Sequence, residues 1–215
     1  MIHWLNIASN GCIFFTIVMF ATGIPQCLQM IKTKSTKNIT FLPYLMTNIN
    51  NVSWIVYGQM TENFTIIFVN VVGSILQTIY MSVFVYFSTT KNREIQQTSL
   101  SAITAVVVWF ISTQMVNDAE FSIYIVGIVS CCITMLMFSS PLAEINTVLK
   151  NRSTSTISFP LTVASFLCAT SWFLYGLLLK DFFIVIPNSV GILTSIARFY
   201  LFYMYPQEKS AVLPM

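Results

Sequence analysis

Seven long apolar runs, parted by short polar punctuation, take up most of the 215 residues: roughly 5–30, 41–58, 64–87, 100–115, 122–149, 158–179 and 182–205. About 20 such residues cross a ~30 Å hydrocarbon core as a helix, and seven crossings use about 140 residues. Seven transmembrane helices with short connections are predicted, and no soluble domain fits in the remainder. The least regular runs are the short fourth and the seventh, which contains Pro187 and Asn188. The first run is too long for a signal-peptide core, and its leader MIHWLN has no Lys or Arg, so it reads as a retained span.

Composition agrees. Hydrophobic residues make up 56% of the chain and charged residues 8%, whereas soluble domains carry about 25% charged residues. Ten basic and seven acidic side chains cannot clothe a water-facing surface. A soluble enzyme, a nucleic-acid binder and a disordered segment are excluded together. The five cysteines lie inside apolar runs, with no CxxC, and read as small hydrophobes. One histidine, His3, cannot build a metal site, so neither metal nor cofactor is expected.

The charges are sided. Lys32, Lys34, Lys37, Lys91, Arg93, Lys150, Arg152 and Lys209 fall in odd-to-even connections and the tail, against Lys180, Glu62, Asp118, Glu120 and Asp181 on the other side. The positive-inside rule then predicts a cytosolic C-terminus and an extracellular or lumenal N-terminus. Asn63-Phe64-Thr65 is an outward glycosylation sequon abutting the membrane, where use is not expected.

Compared with itself at an offset of 118 residues, the chain is duplicated. Lys34-Ser35-Thr36 faces Arg152-Ser153-Thr154, and Trp54, Tyr57, Gly58, Asn70 and Gly73 face Trp172, Tyr175, Gly176, Asn188 and Gly191. Pro43 faces Pro160 across a one-residue gap. Apolar bias does not produce such matches among Trp, Tyr, Gly and Asn. Spans 1–3 therefore correspond to spans 5–7, and span 4 restores the starting side, so the copies are parallel repeats with a candidate substrate site at their interface. The predicted fold class is an all-α membrane protein of 3+1+3 helices. Its parts are a first repeat over 1–88, a linker helix with its loops over 89–120, a second repeat over 121–205 and a tail over 206–215.

Two residue pairs carry chemistry. Asn70 and Asn188 sit in mid-span, where an unpaired amide costs a few kcal/mol. They are either glue between helices, worth about 0.6 kcal/mol per polar contact, or donors and acceptors for a polar ligand. Trp54 and Trp172 suit the interfacial belt, or else a pocket wall against the C–H face of a ring. Pro25, Pro43, Pro141 and Pro160 lie in or at the start of apolar spans, where a missing donor can bend a helix. Only Glu144 and Arg198 are ionisable within spans, no midplane carboxylate exists, and no phosphate-binding loop or HExxH is present.

The arrangement, with SSPL (139–142), KNRSTSTISFPL (150–161), SWFLYG (171–176), PNSVG (187–191) and RFYLFYMYPQE (198–208), resembles the SWEET sugar facilitators of the PQ-loop group in their animal form. The likeness covers nearly the whole chain. It implies a bidirectional sugar uniporter in the plasma membrane or Golgi, working by alternating access without a cofactor. Its partners would be a monosaccharide such as glucose, membrane lipid and further copies of the chain as a homo-oligomer, with no nucleic acid. Asn70, Asn188, Trp54 and Trp172 would bind sugar, while Tyr57 and Asp181 would close the outer gate. Pro43, Pro141 and Pro160 would be hinges, with the fourth hinge shared between Gly23, which stands opposite Pro141, and Pro25. Where plant members often carry a small residue, Trp54 would narrow the pocket toward a monosaccharide. The alternatives are a proton-coupled PQ-loop amino-acid transporter, a seven-span receptor and a non-transporting trafficking adaptor.

Overall fold

The structure, a computed structural model, describes residues 2–110 and 118–205. The expected end of the fourth span and the tail over 206–215 lie outside the described residues. Within them the regular structure is helical throughout: α1 (Ile2–Ala21), α2 (Ile24–Thr33), α3 (Leu42–Met60), α4 (Phe64–Phe87), α5 (Lys91–Phe110), α6 (Ala119–Met137), α7 (Ser139–Asn151), α8 (Phe159–Leu179) and α9 (Phe182–Met204). Because α1 runs on into α2 and α6 into α7, these segments make seven rods.

Among the described residues five rods are long and apolar enough to cross a membrane, while α3 and the described part of α5 are not. The polarity of α3 comes from Thr47, Asn50 and Asn51, which line an internal cavity, and from Asn48, whose Oδ1 accepts a hydrogen bond from Ser74. The helix of α5 begins at Lys91, well before its apolar run at Leu100, so its first turns are charged. The rest is inside-out by the standards of a soluble domain. Phe14, Ile75, Leu193 and Ile196 are exposed, whereas Asn51, Asn70, Gln77, Thr162 and Ser195 are buried. Hydrocarbon imposes this inversion, since a polar group facing lipid has no partner.

Helix starts follow local chemistry. The side chains of Asn63, Asp118, Ser158 and Asp181 each accept a backbone N–H in the first turn of α4, α6, α8 and α9, a cap worth about 1 kcal/mol. Pro25, Pro43 and Pro160 occupy the first two positions of α2, α3 and α8, where no intrahelical donor is lost. Pro141 is likewise in the first turn of α7. These prolines start helices, and the interruptions precede them, at Thr22-Gly23 and at Phe138. Left-handed backbone recurs at the repeat offset, at Lys34 (φ 52°) and Arg152 (φ 51°) and at Glu62 (φ 52°) and Lys180 (φ 59°).

Packing closes a ring. Within the first repeat α4 lies between α1 and α3, and within the second α9 lies between α6 and α8. The halves join where α1 meets α8 and α3 meets α6. The order around the ring is α1, α4, α3, α6, α9, α8, with the linker α5 outside it against α3 and α4. Close approach of α4 and α9 to their neighbours depends on Gly73 and Gly191. A Cβ at Gly73 would meet Phe20 at 2.4 Å, and one at Gly191 would meet Ala169 at 3.1 Å.

The missing fourth proline has a packing cause. Gly23 has φ −77°, which proline tolerates, but a Cβ there would lie 2.6 Å from the Tyr80 ring, and Tyr80 is buried with its hydroxyl 3.2 Å from the Phe20 carbonyl. At the positions equivalent to Gly23 and Tyr80 the second repeat has Pro141 and Arg198, so both members of the pair differ together. Gly23→Pro is expected to destabilise the purified protein by about 1–3 kcal/mol through overpacking, seen as a Tm lowered by several degrees. Tyr80→Ala should cost less in the Gly23→Pro background than in the parent protein, and additive losses in that cycle would contradict the packing account.

Candidate functional site

The six-helix ring encloses a cavity of about 520 Å³, within the ~300–1,000 Å³ usual for small-molecule sites. Its walls carry Trp54 and Trp172, Asn70 and Asn188, and Thr16 and Thr134, every pair contributing one residue from each repeat. The lining reaches Gly23, Pro43 and Leu161 at one end, near the starts of α2, α3 and α8. Among the described residues no Asp, Glu, Lys, Arg or His lines it.

The opposite end is closed by two equivalent contacts. Tyr57 at the end of α3 donates its hydroxyl hydrogen to Asp181 Oδ2 at 2.7 Å, and Tyr175 at the end of α8 lies 3.0 Å from Asn63 Oδ1. Asp181 and Asn63 are themselves 118 residues apart and cap α9 and α4, so each acceptor is already oriented by its own helix N-terminus. Behind these bonds Trp54, Tyr57, Ile66, Val126 and Ile184 pack as one buried cluster, with Trp172 and Phe183 against it. Gly58 and Gly176 admit Ile66 and Ile184, each 3.0 Å from where a Cβ would stand.

The indoles belong to the cavity and not to a lipid-facing belt. Trp54 Nε1–H donates to Thr134 Oγ1 at 3.0 Å, and Trp172 Nε1–H donates to Thr16 Oγ1 at 2.8 Å. Both bonds cross the seam between repeats. Each indole also meets a neighbouring tyrosine edge-on, Trp54 with Tyr57 at 5.4 Å and Trp172 with Tyr175 at 5.8 Å. Beside the threonines, Thr134 Oγ1 is 2.7 Å from Asn50 Oδ1 and Thr16 Oγ1 is 3.4 Å from Cys168 Sγ.

The mid-span amides do not bridge helices. Asn70 Nδ2 donates to the Ile66 carbonyl at 2.8 Å and Asn188 Nδ2 to the Ile184 carbonyl at 2.7 Å, each on its own helix. That bond steers the side chain and leaves Oδ1 and the second N–H without a protein partner among the described residues. Each amide thus offers the cavity both an acceptor and a donor.

Of the hinge candidates, Gly23 and Pro43 line the cavity, while Pro25, Pro141 and Pro160 stand outside its lining at helix starts. Glu144 and Arg198 pair with each other at 2.6 Å between α7 and α9, away from the cavity lining. Sequence reading passed over Thr16 and Thr134, although they lie at the repeat offset. It also read Asn63 as a sequon, where the structure uses the side chain as a helix cap and as the acceptor for Tyr175.

Comparison with known proteins agrees with this construction. The family model described as sugar efflux transporter for intercellular exchange matches twice, at residues 6–92 and 124–210. The zebrafish (Danio rerio) sugar transporter SWEET1 is 38% identical over 211 residues, covering 98% of this chain and 94% of its own. The human (Homo sapiens) sugar transporter SWEET1 is 36% identical over 200 residues, covering 93% and 90%. The solved structure of a eukaryotic SWEET transporter superposes with a TM-score of 0.89 at 28% identity, covering 94% of this chain and 96% of that one. With the family model matched over most of its length and these relatives spanning nearly all of it, the chain belongs to the SWEET family of sugar transporters.

Proposed function

We propose that the protein is a bidirectional uniporter for a neutral monosaccharide, glucose foremost, and that it works by alternating access. The observation that carries this reading is a cavity walled by two indoles and two half-free amides with, among the described residues, no ionisable Asp, Glu, Lys, Arg or His lining it. A pyranose presents C–H faces to aromatic rings and hydroxyls to amides. An amino acid would need counter-charges for its carboxylate and ammonium, and proton coupling would need a titratable group in the path. Glu144 and Arg198, paired with each other, supply neither.

In this reading Asn70, Asn188, Trp54 and Trp172 hold the sugar. The Tyr57–Asp181 and Tyr175–Asn63 bonds close the outer gate while the cavity opens toward Gly23 and Pro43 on the cytosolic side. The reverse state breaks those bonds and closes the lower halves of the rods, with Gly23, Pro25, Pro43, Pro141 and Pro160 as the pliant positions. Residues 1–88 and 121–205 move as the two bodies, residues 89–120 link them, and 206–215 form a cytosolic tail. The N-terminus faces the extracellular or lumenal side of the plasma membrane or Golgi, as the sided charges require.

Uptake of labelled glucose into proteoliposomes tests the function: saturable flux that ignores an imposed proton gradient is expected, and absence of flux in both directions defeats the reading. Asn188→Ala should abolish that flux with the Tm nearly unchanged, because the lost amide bonds only its own helix. The gate has its own test by double-mutant cycle on stability. Tyr57→Phe with Asp181→Ala should show a coupling of about 1.5–3 kcal/mol, the scale of a hydrogen bond to a charged group. The neutral pair, Tyr175→Phe with Asn63→Ala, should show about 1 kcal/mol.

A further inference from the structure

The linker helix α5 breaks the match between the two halves. It packs against α3 and α4 and makes no comparable contact with α6, which leaves a groove between α5 and α6 with α3 as its floor. The groove holds about 420 Å³ and shares no lining residue with the central cavity. Its walls are mainly apolar, with Ile49, Val52 and Val56 from α3, Ala105 from α5, and Val129 and Ile133 from α6. At the other seam, where α1 meets α8, no linker stands among the described residues, so the groove has no mate there. Along α5 its chemistry is graded. Arg93, Gln97, Ser101, Ala105 and Trp109 follow at four-residue steps, each one turn beyond the last on a slowly winding stripe. The last four line the groove, and Arg93 stands one turn before its mouth, exposed and without an ion pair among the described residues. The Gln97 amide has no hydrogen-bond partner among them either. Glu94, the nearest acid, is 5% exposed and accepts from the Thr90 hydroxyl through Oε1, so it is turned into the protein.

In a bilayer core such a groove is filled by lipid. Water leaves apolar walls dry, and an empty groove forfeits its van der Waals contacts. From Gln97 to Trp109 the stripe rises about 18 Å at ~1.5 Å per residue, against ~15 Å for half of a ~30 Å hydrocarbon core. That is the reach of one acyl chain. The order of cation, amide, hydroxyl and apolar wall matches the order of phosphate, glycerol ester and chain in a phospholipid. A sterol has no anion to offer Arg93. Nor does a second copy of the chain bring an acid to this end among the described residues, since Glu94 is buried and Glu144 is paired with Arg198. We propose that the groove is a phospholipid site of the leaflet on the side of the basic loops, in which Arg93 binds the phosphate, Gln97 and Ser101 meet the ester, and one acyl chain lies between α5 and α6. The chain joins the linker to the second repeat beside the seam of α3 and α6. The site is independent of the sugar reading above.

The test uses the full chain, stripped of lipid in detergent and titrated with phosphatidylglycerol that carries a diazirine at the middle of one acyl chain. Phosphate is the only ionised group of this probe. Photolysis should label α5 and α6 around Ala105 and Val129, and Ala105→Phe, which fills the groove, should abolish that labelling. If Ala105→Phe does not fold, Val129→Phe is read the same way. Arg93→Gln should raise the lipid concentration for half-maximal labelling about fivefold, the scale of one basic residue at a membrane surface. The same variant should leave labelling by a diazirine diacylglycerol, which has no phosphate, unchanged. Labelling spread evenly over lipid-facing residues such as Leu193 and Ile196 is annular lipid only and overturns the site. A diazirine cholesterol captured in preference to the phospholipid overturns it too. So does a groove closed by a second copy, seen as a disulfide between chains in Ala105→Cys with no lipid labelling.

Discussion

The seam between the two halves depends on a pair of hydrogen bonds, Trp54 to Thr134 and Trp172 to Thr16, each joining a helix of one repeat to a helix of the other. Each indole N–H is turned into the packed wall between two helices, where a donor left unpaired is costly, and each is met by a threonine hydroxyl. Meeting them draws α3 to α6 and α1 to α8, and those two contacts turn a pair of three-helix units into a closed ring. The cavity is what the ring leaves at its centre. Its polarity is inherited from side chains that could not have faced lipid.

The gate is tied to the same seam. Trp54 and Trp172 lie edge-on to Tyr57 and Tyr175, whose hydroxyls reach the caps of α9 and α4. Indole, tyrosine and closing bond thus form one continuous run of contacts in each half. The copies are not equal, though: one closing bond goes to a carboxylate and the other to an amide, and one cavity corner is an asparagine where the other is a thiol.

Much of this was legible in the residues. Helix positions followed from apolar length and from the polar punctuation between the runs. The pairing of Trp54 with Trp172 and of Asn70 with Asn188 followed from one constant offset. What sequence reading missed was equally systematic. An offset says which residue is equivalent to which, but the contacts run from each residue to the equivalent of a different one: the resemblance paired Tyr57 with Asp181, while the matching bond of Tyr175 to Asn63 went unread. Polar residues in α3 look like flaws in a membrane span until the cavity they face is known. Gly23 looks like a lost proline until Tyr80 is found against it.

Taken alone, the sequence determined that the chain lives in a membrane, crosses it as helices, repeats itself around a linker and carries SWEET family motifs, because length, polarity and spacing are properties of a linear string. The tertiary structure decided the ring order, the placing of the indoles at a cavity instead of the bilayer surface, the choice of Thr16 and Thr134 as their acceptors, and the end at which the cavity is closed. Those depend on how helices cross. The crossing is set by small residues such as Gly73 that admit a neighbour and by buried polar groups that must find one, and neither has a signature in the spacing of a single chain.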